Sequence, residues 1–262
     1  MDKTLNIVVC IKQVPDTQDI KWSENNNLVR EGMQSILNPL DEFAINAAAE
    51  IKEKYKNVKI TAISMGPKQA EKALKEAIAL GADEGVLLSD KAFIGSDTLA
   101  TGKTIASGIK KAVPDFDLIL CGQMALDGDT AQTGVTISNF LNIEHISFAN
   151  SVEIENEFVK IKQELEDGYK LIKAPTKILI SMSKENFEQK TPKIADYIRA
   201  QDAEIKILGL DDIEIDENEC GMKGSPTWVS KVFRKQTSRN TEELSNNAED
   251  IIKKINEIKQ NG

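Results

Sequence analysis

The 262-residue chain has one histidine, His145, which excludes a histidine-rich metal site. That histidine has no evident Ser or Cys partner, and the carboxylates are scattered over helix ends and solvated faces. Catalysis by side-chain acid–base or nucleophilic chemistry therefore has no evident set of residues. Aromatic residues make up 5%, too few for a base-stacking platform. A basic excess is also missing. Lys and Arg total 33 against 42 Asp and Glu, a net charge of −9, so neither nucleic acid nor an anionic membrane is an expected partner. No stretch approaches the roughly 18 uncharged apolar residues of a membrane span, and no membrane insertion is expected. The three cysteines, Cys10, Cys121 and Cys220, are odd in number and fit no metal spacing. Without a signal peptide they read as reduced thiols of a cytoplasmic protein. Cys10 and Cys121 lie in apolar runs and read as small buried hydrophobes. His145 reads as a surface or edge residue.

What is present is an ordinary soluble composition, 40% hydrophobic and 29% charged, in a chain long enough for one sizeable domain and an appendage. Residues 5–11 (LNIVVCI) form a continuous apolar run, as a strand covered on both faces would. A long polar loop follows, with a short hairpin at its tip. Asn38-Pro39-Leu40-Asp41 leads into a helical pattern with Asp41 as N-cap. Strands are expected at 58–64, 84–88 and 117–121. Helices are expected from Pro67 to about 80, from Ser96 or Asp97 to about 112, and from Asp129 or Thr130 to about 141. Repeated βα units with buried strands imply a parallel sheet with helices on both faces.

The pattern changes after about residue 146. Strands at 147–154, 158–165, 169–173 and 177–181 alternate more and carry charges, as an antiparallel extension would. A short helix near 194–200 and a strand at 204–208 follow. The fold class is therefore α/β: an open, mostly parallel, doubly wound sheet of the nucleotide-binding type. It carries a C-terminal antiparallel extension and a terminal helical arm. Residues 1–208 form the α/β domain, with the βα core at 1–145 and the extension and partner loop at 146–208. Residues 209–262 form the arm, whose helix at 242–259 carries a narrow apolar stripe suited to packing on a partner.

Ligands of open parallel sheets bind beyond the carboxyl ends of the strands. The loop after the fourth strand is the most informative. Its glycines allow close backbone approach, and free N–H groups at the following helix start favour a phosphate. Asp127 and Asp129 would repel a pyrophosphate and suit caps or polar contacts better. Gln132, three residues after Asp129, resembles a capping box. The segment is neither a P-loop nor a GxGxxG fingerprint. With no catalytic set beside it, a cofactor would do the chemistry.

Five blocks then match one family. They are Val9-Cys10-Ile11-Lys12-Gln13-Val14-Pro15-Asp16, Leu37-Asn38-Pro39-Leu40-Asp41-Glu42, Ser64-Met65-Gly66-Pro67, Ala79-Leu80-Gly81-Ala82-Asp83 and residues 122–134. In order and spacing the chain resembles the beta subunit of electron-transfer flavoproteins, through about Ser183 and more loosely beyond. The resemblance implies a heterodimer with an FAD-carrying alpha subunit and a nucleotide site on this chain. Residues matching that site are Cys10, Asn38, Pro39, Leu40, Asp41, Met65, Gly122, Gln123, Met124, Ala125, Leu126, Asp127, Gly128, Asp129, Thr130, Ala131, Gln132 and Thr133.

Members that hold only AMP tend to have Asn before the Gln-Thr pair and a bulkier acidic run ahead of it. Here the run Gly128-Asp129-Thr130-Ala131-Gln132 looks like that of flavin-bifurcating members, so FAD is expected over AMP. The resemblance then implies that NADH is the electron donor. One electron would pass to ferredoxin or flavodoxin. The other would pass through the alpha subunit to an acyl-CoA, enoyl-CoA or 2-hydroxy-acid dehydrogenase. Family members anchor that dehydrogenase with a loop that falls here within 184–199, where Ile194, Tyr197 and Ile198 are the apolar candidates. The alternatives are a non-bifurcating carrier with structural AMP and a nucleotide-sensing module that transfers no electrons.

Overall fold

The computed structural model describes residues 4–16, 21–22, 28–29, 35–183, 190–228, 230 and 247–261. Its spine is a nine-stranded sheet. The first strand, β1 (Leu5–Cys10), is followed by two small antiparallel pairs, β2 (Gln13–Pro15) with β5 (Ser35–Leu37) and β3 (Lys21–Trp22) with β4 (Leu28–Val29). The second pair is the short hairpin expected at the loop's tip. Helix α1 (Pro39–Lys54), β6 (Val58–Met65), α2 (Glu71–Ala79) and β7 (Glu84–Leu88) come next. Then follow α3 (Thr98–Ala112), β8 (Leu118–Gly122) and α4 (Thr133–Leu141). The second half contributes β9 (Glu144–Glu155), β10 (Phe158–Leu165), β11 (Gly168–Pro175), β12 (Ile178–Met182), α5 (Ile194–Gln201), β13 (Ile205–Leu208) and α6 (Ala248–Asn261).

The strand order is β11-β10-β9-β12-β8-β1-β6-β7-β13. Every pairing from β9 to β13 is parallel, and only β9–β10 and β10–β11 are antiparallel. The expected architecture is thus the one observed, with one correction. The antiparallel extension ends with β11. Residues 178–182 sit in the middle of the parallel sheet, between β8 and β9, and β13 is its far edge. The signal was in the residues. Ile-Leu-Ile-Ser-Met is buried throughout, as is Leu-Ile-Leu-Cys-Gly of β8, because both strands are covered on both faces.

Two apolar clusters flank the sheet. Ala44, Ile45 and Ala48 of α1 and Ala73, Leu74 and Ala77 of α2 pack on one face. Ile105 and Ile109 of α3 and Ile137 of α4 pack on the other. From β1 the chain winds through β6 and β7 to one side; α3 then carries it back past β1 to β8, and it continues the other way. The strand order therefore reverses between β1 and β8, and a crevice opens at their carboxyl ends.

Residues 210–220, expected to belong to an arm on a partner, begin by packing on the chain's own domain. Ile213 and Cys220 are buried among Leu88, Phe93 and Ile105, and Leu210 and Ile215 pack on the same cluster. Further on, Ile251, Ile252 and Ile255 of α6 are exposed. Residues 242–246 of the expected helix lie outside the described residues. No helix among the described residues is long and apolar enough to cross a membrane.

Candidate functional site

The crevice holds a cavity of about 290 Å³. Its floor is Cys10 at the end of β1 and Cys121 near the end of β8, register partners in the parallel ladder. Both are free and buried, and burial, reinforced by nearby Asp41, pushes each thiol above its ordinary range. They line the floor as neutral, apolar groups. Met65 closes one side.

Asp41 is the inner wall. Asn38 holds the N-cap position of α1 without a side-chain cap bond, and Pro39 is in the first turn, so Asp41 lies inside the helix instead of capping it as expected. Its carboxylate faces the crevice. Oδ2 accepts the Lys12 N–H at 2.8 Å and Oδ1 accepts the Gly122 N–H at 3.2 Å. One side chain thus ties together the two loops that diverge at the strand reversal. Burial raises its pKa to about 7, against the pull of the Lys12 N–H, the Asn38 side chain, the Gly122 N–H and the Lys12 charge.

Asn38 works in parallel. Its Nδ2 donates to Met124 O at 2.9 Å and its Oδ1 accepts Leu126 N–H at 3.3 Å. Gly122 is required because a Cβ there would stand 2.4 Å from Asp41 Oδ1 and 2.5 Å from Leu40 O.

The loop after β8 departs from expectation. Asp129 and Ala131 both adopt left-handed backbone, φ +50° and +53°, and Asp129 N–H bonds Ala125 O at 2.9 Å. A residue in that conformation cannot serve as an N-cap, which needs extended backbone. Helix α4 instead starts at Thr133, with Gln132 at its cap position and, among the described residues, no side-chain cap bond to its first N–H groups. Neither the Asp129 or Thr130 cap nor the Gln132 capping box forms. Asp127 is an ion-pair partner: Lys12 Nζ meets its two carboxylate oxygens at 2.7 and 2.8 Å, bridging the loops after β1 and β8.

Of the residues expected at the site, Cys10, Asp41, Met65, Gly122, Gln123, Met124, Ala125, Gly128, Asp129, Thr130, Ala131 and Thr133 line this cavity. Asn38, Pro39, Leu40, Leu126, Asp127 and Gln132 are not among its lining residues. The site residues matched through the family resemblance omitted the third wall. Ser96, Asp97 and Thr98, with Thr101 and Ile105 of α3, line the cavity from the β7–α3 loop. That loop lies at the same sheet edge, which is the signal that could have found them. Asp97 caps α3 as one of the two expected candidates, accepting the Leu99 and Ala100 N–H groups at 3.0 Å each.

His145 is not at an edge. It sits on β9 between β10 and β12, half-buried behind Gly134, and burial lowers its pKa. Ile194, Tyr197 and Ile198 are exposed on α5, which packs on α2 and takes no part in lining the cavity. Residues 184–189 of the expected partner loop lie outside the described residues.

A mostly parallel α/β sheet with a ligand-sized cavity at its strand reversal and a helix start opening on it has the architecture of a nucleotide- or cofactor-binding domain. The family model described as electron transfer flavoprotein domain matches residues 26–212. The chain is 43% identical over 253 residues to the electron transfer flavoprotein subunit beta of Thermoanaerobacterium thermosaccharolyticum, covering 96% of each chain. It is 44% identical over 233 residues to the subunit of the same name from Clostridium acetobutylicum, covering 88% of this chain and 89% of that one. To the caffeyl-CoA reductase-Etf complex subunit CarD of Acetobacterium woodii it is 39% identical over 230 residues, 87% of each. The chain belongs to the electron transfer flavoprotein family, on its beta-subunit side. Such a subunit pairs with an alpha subunit and works in electron transport.

Proposed function

We propose that the cavity holds the adenine-nucleotide half of an FAD and that the chain is the beta subunit of an NADH-oxidising, electron-bifurcating flavoprotein. The observation that carries this reading is the backbone after β8. A Cβ at Gly128 would meet nothing within 4 Å, and Asp129 and Ala131 turn through left-handed conformations beside it. The cavity is thereby left open along one side, where a dinucleotide longer than the enclosed space can continue. The start of α4, where no side-chain cap bonds the first N–H groups, suits a phosphate-bearing ligand. When bound, FAD would accept a hydride from NADH and release electrons singly.

The chain's residues would bind and orient. Asp41 and Asn38 fix the loop geometry, and Cys10, Cys121 and Met65 supply an apolar, water-poor floor. Ferredoxin or flavodoxin would take one electron. The alpha subunit would pass the other to an acyl-CoA, enoyl-CoA or 2-hydroxy-acid dehydrogenase. Kinship with a subunit named for a caffeyl-CoA reductase complex favours a CoA-ester partner. The exposed Ile194, Tyr197 and Ile198 are the proposed dehydrogenase contact.

The second reading, a non-bifurcating carrier with structural AMP, draws on the volume, since about 290 Å³ suits a mononucleotide. Cofactor extraction from the purified heterodimer decides between them. Two FAD per heterodimer and bleaching by NADH are expected; one FAD with one AMP, and no bleaching, would overturn bifurcation. On the same preparation, Ile194→Asp should keep full cofactor content and lose transfer to the dehydrogenase. Undiminished transfer removes α5 from the interface.

A further inference from the structure

The third wall of the cavity is held from outside the βα units. Residues 220–227 dock flush on the β7–α3 loop. Gly221, at φ +58°, lies so close that a Cβ would stand 2.0 Å from Ala92 O. Met222 N–H bonds Ile94 O at 3.1 Å, and Gly221 N–H bonds Ser96 Oγ at 3.1 Å. Ser225 Oγ accepts the Asp97 N–H at 2.8 Å and donates to Gly221 O at 2.6 Å. Thr227 gives the Asp97 Oδ2 two hydrogen bonds, from its hydroxyl at 2.7 Å and its N–H at 3.1 Å. The other oxygen, Oδ1, is taken up by the first N–H groups of α3. Asp97 thus has four donors, two from its own helix and two from a residue 130 positions away.

We infer that Ser225 and Thr227 are positioning residues for the ligand cavity: through Asp97 they fix the wall formed by the start of α3 and disperse its negative charge. The inference rests on the reading of the cavity as a nucleotide site. Its physical content is charge accounting. Partial burial works against ionisation of Asp97. The N–H of Ala100, the hydroxyl and N–H of Thr227 and the N–H of Leu99 nevertheless hold its pKa below the ordinary carboxylate range. Asp97 is therefore an anion that lines the cavity, and its charge is spread over four donors. Without the Thr227 hydroxyl, Oδ2 keeps one donor and faces an anionic ligand less well neutralised. A neutral ligand would not register that change.

The test uses the heterodimer stripped of bound nucleotide. AMP, adenosine and FAD are titrated into wild type, Thr227→Val, Thr227→Ser and Ser225→Ala, with hydrogen exchange of residues 93–101 and 220–227 measured in parallel. Thr227→Val should bind AMP about tenfold more weakly, about 1.4 kcal/mol, with adenosine affinity changed less than twofold. Thr227→Ser should restore the wild-type value. Ser225→Ala should speed exchange at 93–101, and by reciprocity AMP should slow exchange at 220–227 in wild type. Failure of wild type to bind either AMP or FAD overturns the nucleotide reading itself. Wild type that binds AMP, with Thr227→Val matching it and no protection at 220–227, overturns the positioning role alone. If Thr227→Val does not assemble, Ser225→Ala and the wild-type exchange decide by the same criteria.

Discussion

The inner and outer walls of the cavity are built from the same kinds of group and obey different physics. On the inner wall, Asp41 and Asn38 are buried, at 6% and 0% exposure, and each bonds backbone groups of loops far away in sequence. On the outer wall, Lys12 bonds Asp127 and Asp97 bonds Thr227 near solvent. A buried polar group that loses its partner costs its full desolvation, whereas an exposed ion pair exchanges protein for water at little cost. The inner wall therefore carries more of the stability of the site, and the Lys12–Asp127 pair on the outer wall carries little.

Substitutions on each wall test this contrast. The largest effect is expected from Gly122→Ala, which drives a Cβ into Asp41 Oδ1 and the Leu40 backbone. Urea unfolding should show a loss of about 3 kcal/mol, and nucleotide should be lost on purification. A variant as stable as wild type would mean that the inner wall yields.

Asp41→Asn comes next, because its amide NH₂ cannot accept from both Lys12 and Gly122 N–H groups. One buried donor is left without an acceptor, for about 2 kcal/mol. The pH dependence has a definite sign. With the folded pKa raised to about 7, above the unfolded value near 3.8, the folded state binds more protons between these values. The Asp41 contribution is then fully present below about pH 4. It falls as pH rises to about 7. The deficit of Asp41→Asn should therefore be largest in acid and shrink towards pH 8; a deficit growing with pH would reverse the reading of the inner wall.

The smallest effect is expected from Lys12→Ala. Removing a half-exposed ion pair should cost under about 1 kcal/mol, and less as salt is added. A loss of 2 kcal/mol or more would erase the distinction between the walls.

The fold was legible in the sequence where burial leaves a local mark. The apolar run that becomes β1, the strand at 84–88 and a cap at Ser96 or Asp97 could each be read from a few neighbouring residues. What was missed depends on distant partners. Asp41 follows Asn-Pro-Leu and looks like a cap; its use as a tie depends on Gly122, 81 residues on. Asp129 looks like a cap until its left-handed backbone is seen, and Ala131 gives no warning of the same conformation. Thr227 could not have been assigned to the site, since nothing local links it to residue 97. The strand at 178–182 is a different case. Its buried signature was present and was outweighed by the alternating strands before it.

That strand has a consequence for synthesis. β12 fills the slot between β8 and β9, yet it is translated after both. While the ribosome is making the meander of β9 to β11, the completed βα units present β8 with one unpaired backbone edge in a strand that is buried along its whole length in the finished protein. Such an edge is a template for the wrong chain. The vulnerable interval in the life of this protein is therefore the time between the emergence of residue 122 and that of residue 182. Nascent-chain pausing or chaperone capture would have the most effect there.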